Sequence, residues 1–184
     1  MRHLFAEYND MAHSALFVEI PGVLISDMNA TTLLPGVAAA IVRLQQRGVP
    51  VIAVSNQLAL SPSTVTDFAQ RLHALMVAAG AKLTDIVIAT SESPKSWTKP
   101  RPGLLLAAAR SHSIDLPTSW LIGIDADDAR AAGQAGCAGA VLLGTGPLPS
   151  EDLGIVVAQA RDLADAPRVM IPRGGGCWHQ ITDK

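Results

Sequence analysis

The sequence predicts an α/β fold in which a parallel sheet is covered by helices on both faces. Three observations carry this. Short, continuous apolar runs recur along the 184 residues, as in "VPVIAVS" (49–55), and are rich in β-branched residues, which suits strands buried on both sides. Between them lie segments whose apolar residues recur at helical spacing. The helical segments also carry stop signals: "PGVAAAIVRLQQRG" (35–48) opens on Pro35 and closes on Gly48.

In chain order, "ALFVEI" (15–20) is the first strand, and 35–48 is a helix with Val37, Ile41 and Leu44 on one face. The second strand is 49–55. "SPSTVTDFAQRLHALMVAAG" (61–80) is a helix with Val65, Phe68, Leu72, Leu75 and Ala79 on one stripe, ended by Gly80. "DIVIAT" (85–90) is a strand, and "GLLLAAARSH" (103–112) is a helix after a Pro-rich loop. Strand "SWLIGI" (119–124), helix "ADDARAAGQAG" (126–136) and strand "GAVLL" (139–143) follow, then a strand at 154–158 and a short helix at 160–166. This alternation predicts a three-layer, Rossmann-like arrangement. The expected organisation is an N-terminal arm (1–14), one α/β domain (15–166) and a C-terminal tail (167–184).

Composition narrows the function. A hydrophobic content of 49% supports a core without disulfides or metals. Formal net charge is −2 with no run of like charges, so no nucleic-acid or acidic-membrane surface is expected, and no segment approaches the length of a membrane span, so membrane insertion is not expected either. Acidic residues in "MRHLFAEYND" argue against a signal peptide, and two cysteines, with Cys137 in an Ala/Gly-rich stretch, suit a cytoplasmic protein. His73 reads as a surface or boundary residue, and His3, His13 and His112 have no partner at ligand spacing. Trp97 and Trp120 read as packing residues. Cys177-Trp178-His179 is too small a set for a metal site and reads as tail or as a docking element.

Ligands of such sheets sit outside the carboxyl ends of the strands. Those ends here are Glu19-Ile20-Pro21-Gly22, Ser55-Asn56-Gln57 and Gly123-Ile124-Asp125, with "TKPRPG" (98–103) converging on the same rim. In order and spacing, these segments resemble the haloacid dehalogenase (HAD) superfamily. The nearest resemblance within it is to the group of heptose bisphosphate phosphatases and histidinol-phosphatases, which lack a large cap domain.

The resemblance implies a phosphate site at Ser55, Asn56 and Lys99. It also implies that Glu19 stands where the family's attacking Asp stands, Pro21 where its general acid stands, and Ile124 where a magnesium-binding Asp stands. Proline supplies no proton, and isoleucine cannot ligate a hard cation. The departures lead to the expectation of an inactive pseudophosphatase, a binding or scaffolding protein for a protein partner or a phosphorylated small molecule, with no catalytic residue and no cofactor. An oligomer is compatible with the sequence. The alternative is an active sugar-phosphate phosphatase with an atypical nucleophile or metal site; Mg²⁺ would then be its cofactor, with Asp125 and Asp128 the candidate ligands. By the same resemblance, "SESPKSWT" (91–98) lacks the Cys/His zinc loop of many heptose bisphosphatases, and Thr98 stands where their arginine precedes the lysine, which speaks against sugar-bisphosphate specificity. Glu19, one methylene longer than Asp, is also expected to reach Lys99 as an ion pair.

Overall fold

The computed structural model describes residues 13–170. Most of the expected arm and tail, with His3 and Cys177-Trp178-His179, lies outside the described residues.

Six parallel strands form one sheet: β1 (Leu16–Glu19), β2 (Val51–Asn56), β3 (Asp85–Ala89), β4 (Trp120–Gly123), β5 (Gly139–Leu143) and β6 (Val156–Ala160). Their order is β3-β2-β1-β4-β5-β6, so the chain runs outward from β1 to one edge and returns to build the other. β1 is therefore central, flanked by β2 and β4, and its end lies at the crevice where the strand order reverses. The register sets Glu19 beside Val54 and Val18 beside Ile122.

Alternation along β1 divides the core. Leu16 and Val18 face one layer with Ile41, Leu44, Phe68 and Leu72, from α1 (Val37–Gln46) and α2 (Pro62–Ala78). Phe17 faces the other with Leu104, Ala108, Ala129 and Ala132, from α3 (Gly103–Ser111) and α4 (Ala126–Ala135). Each layer removes a helix stripe from water, the main favourable contribution to folding. On α2 the buried stripe is Phe68, Leu72 and Met76, whereas the expected Ala79 is exposed.

Two elements depart from expectation. The last strand begins at Val156, because Val156 pairs with Gly139. The helix expected at 160–166 is instead a turn followed by a short 3₁₀ segment, Ala166–Arg168, with Pro167 within it. Among the described residues, no helix is long and apolar enough to cross a membrane.

Trp120 is fully buried, Trp97 is partly buried, and His73 is exposed. His112 Nε2 lies 2.7 Å from Asp85 Oδ2, a single contact among the described residues. Cys137 is buried, and burial pushes its thiol up to about 12.

Candidate active site

The carboxyl ends of β1, β2 and β4 and the loop before α3 surround a cavity of about 200 Å³, lined by Glu19, Pro21, Asn56, Gln57, Lys99, Ile124, Asp125, Asp127 and Asp128. The convergence expected from the sequence is therefore present. At its floor the Lys99 ammonium donates to Glu19 Oε2 and to Asp128 Oδ1, the latter at 2.5 Å. All three side chains are at least nine-tenths buried. Two buried carboxylates need compensating charge, and Lys99 supplies it from within the fold.

Each partner is held by its surroundings. The Ser55 hydroxyl donates to Glu19 Oε1 at 2.7 Å and accepts from Gln57 Nε2 at 3.0 Å. The backbone N–H of Ile124 donates to Asp128 Oδ2 at 2.9 Å. Asp128 reaches this position because residue 123 is glycine; a Cβ there would lie 2.4 Å from the Asp128 Cβ.

The three residues expected to bind phosphate are placed differently from one another. Lys99 and Asn56 line the cavity, and Asn56 Nδ2 lies 3.5 Å from the Lys99 carbonyl oxygen. Asn56 Oδ1 is buried with no hydrogen-bond partner among the described residues. Ser55 is fully buried and its hydroxyl is turned to Glu19, so it supports the cavity from beneath. Asp125 caps α4, its Oδ1 accepting from the N–H groups of Asp127 and Asp128. Asp127 pairs with Arg130. Pro21 and Ile124 form an apolar lip, with Ile124 45% exposed over Gly22.

Comparison with known proteins decides the family. Residues 96–166 match the HAD-hydrolase-like family model. The chain is 32% identical over 160 residues to a D-glycero-D-manno-heptose-1,7-bisphosphate 7-phosphatase of Thermosynechococcus vestitus, covering 74% of this chain and 81% of that protein. The chain belongs to the HAD-like hydrolases. A D-glycero-beta-D-manno-heptose-1,7-bisphosphate 7-phosphatase of Rhodopseudomonas palustris is 31% identical, over 58% of this chain and 67% of that protein. The solved heptose bisphosphate phosphatase of B. bronchiseptica, complexed with magnesium and phosphate, superposes with a TM-score of 0.67 at 27% identity, covering 83% of this chain and 95% of that one.

These relatives overturn the expectation of an inactive binding or scaffolding protein. They are named as phosphatases, and nothing in the fold marks this HAD-like chain as inactive. The expectation treated Glu19, Pro21 and Ile124 as three independent losses. The carboxylate expected at the end of β1 is present, paired with Lys99 as expected and held also by Ser55.

The expectation of no cofactor is likewise unsupported, since the B. bronchiseptica relative holds magnesium. The residues of this rim, as arranged, nevertheless do not fit a resident divalent cation. All four oxygens of Glu19 and Asp128 have protein partners, and the lip above them is isoleucine. Among the described residues, no three His, Cys, Asp or Glu side chains gather into a cation site.

Proposed function

We propose that this HAD-like chain is a phosphatase of small phosphorylated, sugar-like substrates, with Glu19 as an atypical nucleophile. The similarity to named heptose bisphosphate phosphatases supports this reading, carried over 81% of one relative's length. A carboxylate, a lysine and a second carboxylate facing one cavity at the sheet's crevice are consistent with it.

In this reaction an oxygen of Glu19 bonds to phosphorus as the P–O bond to the alcohol breaks, and water then hydrolyses the acyl phosphate. Phosphate is released and the carboxylate restored. Lys99 compensates charge on the transferring group, and the Asn56 peptide N–H donates to it. Ser55 acts as a positioning residue, holding Glu19 by one oxygen. Pro21 has no proton to give, so the leaving oxygen takes its proton from water. Loss of general acid catalysis costs about 100- to 10,000-fold, so turnover is slow and favours esters with acidic leaving alcohols.

The test is phosphate release from a panel of sugar mono- and bisphosphates, with and without Mg²⁺, for the wild type and Glu19→Gln. Release by the wild type that disappears in the variant supports the proposal. Release equal in both proteins, or none above background for any ester, overturns it.

A further inference from the structure

The centre contains two buried carboxylates and a single buried ammonium that touches both. Magnesium requires near-octahedral oxygen coordination and gives up water reluctantly. Each oxygen of Glu19 and Asp128 already accepts a hydrogen bond from Lys99, Ser55 or the Ile124 N–H, so a cation would compete with these donors for it. The other carboxylates on the cavity are committed elsewhere, Asp125 to the start of α4 and Asp127 to Arg130. Ile124 offers only hydrocarbon.

We infer that the Lys99 ammonium is the resident cation of this centre, holding Glu19 and Asp128 where a divalent ion would otherwise compensate them, so that the centre works without magnesium. This rests on the reading of the rim as a phosphatase centre. Two carboxylates against one ammonium leave a net negative charge, so free phosphate is a weak ligand.

The test is thermal unfolding of chelator-treated full-length protein with and without MgCl₂. A cation bound at about 100 times its dissociation constant raises the melting temperature of a chain this size by about 5 °C or more. The wild type is expected to move by less than about 1 °C, as for a protein that does not bind the ion. Lys99→Met, which leaves two uncompensated carboxylates, is expected to be less stable and to regain stability with Mg²⁺. Ile124→Asp, which keeps Lys99 and adds a third oxygen ligand, is expected to gain a Mg²⁺-dependent rise; it decides the matter if Lys99→Met does not fold. A wild-type rise of about 5 °C, a folded Lys99→Met protein indifferent to Mg²⁺, or an Ile124→Asp protein that gains nothing overturns the inference. Absence of phosphate release from every ester would remove the proposed activity, whereas these melting curves judge the cation independently.

Discussion

Glu19 and Lys99, 80 positions apart in the chain, form a buried ion pair at the end of the central strand, and Asp128 closes it from the other side. Removing one partner of a buried pair is far costlier than the pair's net contribution, because the other charge remains in low dielectric. Glu19→Gln should therefore lower stability by about 3 kcal/mol in chemical denaturation, toward the smaller end of the range for such changes. Asp128 still holds the lysine and limits the loss. The same variant frees part of the Lys99 ammonium and should tighten inorganic phosphate binding in calorimetry. Unchanged stability together with unchanged phosphate affinity would contradict the pairing.

The sheet was legible because buried parallel strands read as continuous apolar runs, and all six strands lie within two residues of their expected ends. β6 was misplaced by two residues because its position follows from pairing with β5, which local sequence does not encode. The rim was legible through the spacing of Glu19, Asn56, Lys99 and Asp128. The direction of Ser55 was not: a serine at a strand end can face a ligand or a neighbouring carboxylate, and only the placement of β2 beside β1 chooses Glu19. The closure by Asp128 was equally hidden, since it depends on how closely α4 approaches Gly123. The pseudophosphatase expectation weighed Glu19, Pro21 and Ile124 by residue identity, whereas what overturns it is similarity to named phosphatases spread over 81% of one relative's length, which no single position carries.

The approach of Asp128 to Gly123 gives a second prediction. A methyl group on residue 123 would lie 2.4 Å from Asp128 side-chain atoms, with β4 fixed between β1 and β5. Gly123→Ala should cost about 1–3 kcal/mol, the usual range for overpacking, and push Asp128 away from Lys99. Denaturation measures the first effect. A crystal structure with the Asp128–Lys99 contact intact would refute the second.

Ser55 offers a test of positioning separate from binding. Ser55→Ala removes the hydrogen bond that fixes Glu19 Oε1 and leaves Lys99 and Asn56 in place. Since about 1 Å of misplacement can cost on the order of 100-fold, kcat for phosphate release should fall by about 10- to 100-fold, with KM changing much less. Ser55→Thr, which restores a hydroxyl, should recover part of the loss. A rise in KM at constant kcat would instead make Ser55 a substrate-binding group.

Cys137 lies at the end of the α4 turn, 4% exposed, and burial raises its thiol to about 12. Thiolate is the reactive form, so a raised value makes the folded thiol inert near neutral pH. In a Cys177→Ser background, Cys137 should resist a disulfide-exchange reagent at pH 8 in the native protein and react completely in denaturant. The same shift sets a sign for stability. The unfolded thiol ionises at lower pH than the folded one, so the folded state binds more protons between the two values. The contribution of the neutral thiol is fully present below the unfolded value near 9 and is lost as pH rises toward about 12. Compared with Cys137→Ala, the parent should therefore lose stability more steeply across that alkaline window. Parallel curves for the two proteins, or rapid native-state labelling at pH 8, would show that Cys137 is accessible and not sealed beneath α4.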